Sequence, residues 1–224
     1  MNRNIQGAIF DMDGTLVDSL FFWDAYWKRL GEDFLQNPAF KPSAEDDKRV
    51  RTMLMEEVVE LLHREYGIGE SPAALLNYTN RMIGWFYENL VTVKEGVIAL
   101  LDRLKEKGVK LVLASASSRD MVRLALRVCG LDGYFPTVVC CEEVGAGKDK
   151  PDVFLKALAA LGTPLRETWV FEDSVVALTS AASCGLPTVG VYDANNFMQE
   201  ELAKRATHYI AKGESFEKLL PMLD

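Results

Sequence analysis

No apolar run in this chain approaches the ~20 residues needed to span a bilayer, so an integral membrane protein is not expected. Basic charge is in deficit. There are 25 Lys and Arg against 33 Asp and Glu, a net charge of −8, which argues against a nucleic-acid or anionic-membrane surface. Cysteine is sparse, and Cys129, Cys140, Cys141 and Cys184 show no metal-ligand spacing. Cys140 and Cys141 are adjacent, and on a strand they would point to opposite faces. Buried, reduced thiols in a cytoplasmic protein are the expectation. Glycine and proline are ordinary in number, at 16 and 8, so fibrous and low-complexity classes are excluded. The stretch Met1 to Phe10 lacks the basic start and longer apolar run of a signal peptide.

What is present is a core-building composition. The 224 residues are 49% hydrophobic, enough for one sizeable core with a small accessory domain. Residues 5–10 (IQGAIF) read as a short buried strand that stops at Asp11. From about Asp18 to Leu90 apolar residues recur three or four apart, as in MLMEEVVELLHREYG (53–67), giving several short helices and no strand. After Lys94 strands and helices alternate. Strands are expected at 109–115, 137–141, 168–172, 187–191 and 207–210, with helices at 95–107, 119–129, 151–161, about 174–184 and near 197–204, and a short terminal helix. That alternation predicts an α/β fold, a Rossmann-like doubly wound parallel sheet. The helical block becomes an insertion after the first strand. Residues 1–16 and 93–224 form the catalytic core, and 17–92 an inserted α-helical cap.

In open parallel sheets ligands bind beyond the carboxyl ends of the strands. The first strand delivers Asp11-Met12-Asp13-Gly14-Thr15, and the second Ser115-Ala116-Ser117. Lys148 follows the third after a loop, and the fourth delivers Glu172-Asp173-Ser174. Residues two apart in an extended segment face the same way, so Asp11 and Asp13 can address one ligand while Met12 turns away. Gly14 permits a sharp turn and close approach of main-chain N–H groups. An Asp-x-Asp-Gly-Thr run can be a mere turn. Its place after an apolar strand, with chemistry at three other strand ends, argues for a site.

Carboxylates ~4 Å apart repel by about 4 kcal/mol at an effective dielectric near 20, and a phosphate dianion adds to this. The site therefore calls for a divalent cation, and an all-oxygen set favours Mg²⁺. Asp11 and Asp173 are the side-chain ligands expected, with the backbone carbonyl of Asp13 between them. Lys148 would balance phosphoryl oxygens and Ser115 would donate a hydrogen bond. The helix beginning near Arg119 aims its N-terminus toward the same anion.

At these residues the chain resembles the haloacid dehalogenase superfamily. Its four motifs appear in order as AIFDMDGTLVDS (8–19), LVLASAS (111–117), GKDKPDVF (147–154) and VFEDS (170–174). The spacing is similar to the beta-phosphoglucomutase-like subfamily, whose helical cap follows the first motif. The resemblance implies that Asp11 attacks phosphorus to form an aspartyl-phosphate. It makes Asp13 the acid that protonates the leaving oxygen and then the base that activates water. Gly14, Ser115, Ala116 and Lys148 would bind the phosphate, and Asp11, Asp13 and Asp173 the Mg²⁺. Two departures stand out. Asp149 replaces the proline that usually follows the motif lysine, leaving Lys150 as the alternative if the loop shifts, and Ala177 replaces a glycine. Glu172 would either reach the metal through water or hold Lys148.

The function expected is a Mg²⁺-dependent phosphatase of a small organic phosphate monoester, of the sugar or polyol phosphate class. The partner is a small molecule, with no nucleic acid or membrane and a monomeric state favoured. A beta-phosphoglucomutase-like mutase is the alternative. Its family members carry a histidine where this chain has Trp23, while Ser115-Ala116-Ser117 resembles the mutase motif. His63, on a cap helix, and His208, before an edge strand, read as structural. A phospho-ligand sensor without turnover is the alternative of another class, and the complete acid, serine and lysine set weighs against it. Phe21, Phe22, Trp23, Tyr26 and Trp27 read mostly as cap core, with Trp23 first to face the leaving group. Arg49, Arg51 and Arg81 are cap cations that could meet a second anion, a solvated face being the default.

Overall fold

The computed structural model describes residues 4–51 and 53–223. Met1 to Arg3, part of the stretch read for a leader, lie outside the described residues. The strands are β1 Gly7–Phe10, β2 Val17–Asp18, β3 Thr92–Val93, β4 Lys110–Ser115, β5 Thr137–Cys140, β6 Thr168–Glu172, β7 Thr188–Val191 and β8 His208–Ile210. The α-helices are α1 Phe22–Leu30, α2 Ala44–Val50, α3 Met55–Tyr66, α4 Pro72–Asn89, α5 Val97–Glu106, α6 Arg119–Val128, α7 Asp152–Leu161, α8 Val175–Ser183 and α9 Gln199–Arg205. Six strands make one parallel sheet in the order β5-β4-β1-β6-β7-β8. This is the α/β, Rossmann-like sheet expected, with helices α1–α4 inserted between β2 and β3. Among the described residues no helix is long and apolar enough to cross a membrane.

The β1 strand is buried along its whole length, which suits its GAIF composition. Its alternate residues serve opposite faces. Ala8 and Phe10 join the cluster containing Leu100 and Leu104 of α5 and Val122 of α6. Ile9 joins Val153 and Phe154 of α7 and Ala177 and Ala181 of α8. Phe10 stacks on Phe171 of β6, with ring centroids 4.1 Å apart, and this pins together the two strand ends that carry the acids.

The insertion is packed from its own sequence. On α1, Tyr26 and Trp27 are fully buried. The Tyr26 hydroxyl pairs with Thr79 of α4 at 2.6 Å, and Trp27 Nε1 donates to Asp47 of α2 at 2.7 Å. Ser43 and Ser71 cap α2 and α4 by accepting from Asp46 N and Ala74 N. A short ribbon flanks the helical stretch at the root of this block. Strand β2 pairs antiparallel with β3, Val17 to Val93 and Asp18 to Thr92. Two residues per strand are too few for a sequence period, so this ribbon left no local signal. Helix α9 starts later than expected, because Met198 takes a left-handed conformation (φ 58°) and keeps Phe197 in the preceding loop.

Candidate active site

From β1 the chain moves to β4 on one side, while from β6 it moves to β7 on the other. The crevice between β1 and β6 at their carboxyl ends is therefore the topological switch point, where ligands of such sheets bind. Asp11 follows β1 and Asp173 follows β6, so the two acids flank it. They line a cavity of about 310 Å³ together with Asp13, Ser115, Ala116, Lys148 and Glu172.

Lys148 is buried and donates to Glu172 Oε2 at 2.8 Å and to Asp11 Oδ1. Burial acts to lower its pKa, but the two carboxylates raise it overall, so it stays a cation. Glu172 thus holds the lysine, and its other oxygen accepts from Ser174 N at 3.2 Å. Asp11, Glu172 and Asp173 each offer an oxygen, and these lie within 4.8 Å of one another. Burial, then the Glu172 charge, pushes Asp11 up to about 6. Burial, then Glu172 and Asp11, holds Asp173 well above the carboxylate range. A buried, all-oxygen cluster with one ammonium among its acids is short of positive charge. Its donor chemistry fits a hard divalent cation.

Asp13 lives in a different environment. Tyr87 on α4 donates to its Oδ1 at 2.6 Å, Ser19 donates to the same oxygen at 2.7 Å, and Ser117 donates to Oδ2 at 2.9 Å. Burial, then the Asp11 charge, raises its pKa, and these three donors oppose the rise. The two acids two residues apart are thus separated by surroundings, Asp11 toward Lys148 and the acidic cluster, Asp13 toward hydroxyls. Within the carboxylate cluster Asp11 and Asp173 are joined by Glu172 and not by the Asp13 side chain.

Gly14 sits at the sharp turn that follows Asp13. Its N–H donates to Val17 O at 2.9 Å, and it does not line the cavity. With φ 80° it makes the turn, and a Cβ there would collide with the Asp173 carboxylate. Ser115 Oγ accepts from Ser117 N at 3.0 Å, which closes the loop after β4. Ala116 is exposed at its tip.

Four residues with no role in the sequence reading take part. Asn196 donates to Asp173 Oδ2 at 2.6 Å and to its carbonyl at 3.1 Å, while Thr15 donates to Oδ1 at 3.2 Å. Asn196 lies beyond β7, where the same strand-end rule would have reached it. Ser19 closes the first motif. Tyr87 sits on α4 with no sequence signal at all. Away from the cavity, His63 Nδ1 contacts Ile68 O at 3.2 Å and His208 stacks on Trp169. Arg51 lines the cavity, but its guanidinium is engaged by Asp47 at 3.2 Å and by Asn195 O at 3.0 Å.

A family model described as haloacid dehalogenase-like hydrolase matches residues 5–185. A phosphorylated carbohydrates phosphatase from Thermotoga maritima is 27% identical over 186 residues, covering 83% of this chain and 84% of the relative. A beta-phosphoglucomutase from Bacillus subtilis is 26% identical over 211 residues, covering 91% and 90%. Among solved structures, CbbY from Rhodobacter sphaeroides in complex with phosphate superposes with a TM-score of 0.78 at 22% identity, covering 96% of each chain. With its family motifs converging at the switch point and the family model spanning most of its length, the chain belongs to the haloacid dehalogenase-like hydrolases.

Proposed function

We propose that this chain is a Mg²⁺-dependent phosphatase of a small organic phosphate monoester, of the sugar or polyol phosphate class, working through an aspartyl-phosphate on Asp11. One observation carries the mechanism: Asp11 faces Lys148 while Asp13 is held by Tyr87, Ser19 and Ser117. Two carboxylates with divergent surroundings take divergent roles. An Asp11 oxygen attacks phosphorus, the P–O bond to the alcohol breaks, and Asp13 gives the leaving oxygen its proton. Asp13 then takes a proton from water, which attacks the phosphorus of the aspartyl-phosphate and releases inorganic phosphate. Lys148 balances the phosphoryl oxygens throughout, and Ser115, Ala116 and the loop they shape border the phosphate.

Asp11 and Asp173, with the Asp13 carbonyl, would hold the metal beside Glu172. When bound, Mg²⁺ supplies charge neutralisation of the carboxylates and phosphoryl oxygens. Residues 17–92 act as the cap over a core of 1–16 and 93–224, excluding water when closed. The reading includes a cytoplasmic, monomeric protein whose partner is a small molecule. Trp23 in place of the mutase histidine, and an Arg51 already engaged, favour water over a sugar phosphate as acceptor. The test is a panel of phosphate esters assayed for free phosphate with Mg²⁺ and with EDTA. Metal-dependent phosphate release supports the reading. Conversion of β-glucose 1-phosphate to glucose 6-phosphate without matching phosphate would overturn it in favour of a mutase.

A further inference from the structure

The cavity has a charged floor and mainly apolar walls, with Asn80 and Ser118 as polar side chains among them. Above the acids and Lys148 it is bounded by Trp23 of α1, Met53 just before α3, Leu76 and Ile83 of α4, Met121 of α6 and Phe197 before α9. These residues are each half-buried and come from both the insertion and the sheet side. Two more apolar lining residues, Val176 and Met198, are 41% and 61% exposed, so unprotected hydrophobic surface stands at the cavity itself. Trp23 is held in place by Trp27, 5.4 Å away between centroids, and by Phe22 at 5.8 Å. The charged lining residues beyond the floor, Lys48, Glu56, Glu142 and Asp149, are exposed. The partly buried cation on these walls, Arg51, lies 4.8 Å from the Phe197 ring centroid and is neutralised by Asp47.

Such walls discriminate. A bare polyol would press its hydroxyls against thioether, indole and aliphatic surface, where each hydroxyl without a partner loses its hydration uncompensated. A flat ring gains there, because aromatic and methionine side chains grip planar apolar groups with adaptable contact. We propose that the substrate is a phosphorylated sugar or short alcohol whose distal end carries a planar aromatic or heteroaromatic ring, bound between Trp23, Met53, Ile83, Met121 and Phe197. This rests on the phosphatase reading and narrows its substrate class. The ring and the reacting phosphate occupy opposite ends of one cavity, so the ring adds binding without touching the bond that breaks.

The experiment uses two matched pairs of alkyl phosphates with Mg²⁺: uridine 5′-monophosphate against ribose 5-phosphate, and 2-phenylethyl phosphate against ethyl phosphate. In each pair the scissile bond joins phosphate to a primary alcohol, and the ring is the main difference. The ring-bearing member is expected to show a kcat/KM higher by about tenfold or more, the scale of removing ring-sized apolar surface from water. Met121→Gln and Ile83→Asn, at half-buried positions on separate helices, should each shrink that ratio severalfold. Equal or faster turnover of the ring-free members would overturn the proposal and leave the phosphatase reading standing, as would a ratio unchanged in both variants. Absence of turnover on all four esters would remove the phosphatase reading, and this inference with it.

Discussion

Replacing Tyr87 with phenylalanine tests whether the helical insertion completes the chemistry. Tyr87 is 4% exposed, and its hydroxyl donates to Asp13 Oδ1 at 2.6 Å. A hydrogen bond to a charged group contributes about 1.5–3 kcal/mol, and about 1.4 kcal/mol is a factor of ten. Ser19 and Ser117 remain on the same carboxylate, so the loss should fall in the lower part of that range. The expectation for Tyr87→Phe is a fall in kcat of about tenfold, with KM little changed, because the hydroxyl meets the acid/base and not the substrate. The ring stays, and with it the edge contact to Phe86 at 6.4 Å, so the fold should persist. Steady-state kinetics on a phosphate ester, with circular dichroism as a folding check, reads the effect. In an Asp13→Asn background the same change should lose most of its effect, since paired residues are not additive. A Tyr87→Phe protein within about twofold of the wild-type kcat, or an equal loss in both backgrounds, would refute the coupling.

Asp11→Asn should abolish turnover with folding intact, since an amide oxygen is a poor nucleophile; phosphate release at a normal rate would sink the assignment. Asn196→Ala removes a donor from the buried Asp173 carboxylate, and should raise the Mg²⁺ concentration for half-maximal activity by about tenfold. Gly14→Ala combines a left-handed backbone at φ 80° with a collision at Asp173. Strain of about 1–3 kcal/mol should lower Tm by several degrees and weaken Mg²⁺ dependence, both read in one metal titration with thermal melts. Burial pushes the Cys140 and Cys141 thiols up to about 11, so native protein at pH 8 should alkylate at half-buried Cys184 well before either, as followed by mass spectrometry.

The order of elements and the groups that can do chemistry were legible in the sequence by itself. Strands buried on both faces are apolar runs, and their ends in a parallel sheet bear the ligand groups, so GAIF before Asp11 and TWVFE before Asp173 point at a site before any coordinates. Lys148 was legible as a cation after a strand, with Lys150 as the alternative, and it is Lys148 that donates to both Asp11 and Glu172. What the tertiary structure decided is everything that depends on contacts between distant segments. The β2–β3 ribbon joins residues some 75 positions apart through two residues a side, too short for any period to register. Tyr87 reaches Asp13 from a helix whose own pattern says only that one face is buried. Gly14 reads from sequence as a turn, but only the packed chain shows that its N–H pairs with Val17 and its missing side chain leaves room for Asp173. The apolar walls of the cavity come from five separate segments, each of which by itself reads as ordinary core. A sequence carries the valence of each residue, but which donor meets which acceptor is a property of the packed chain.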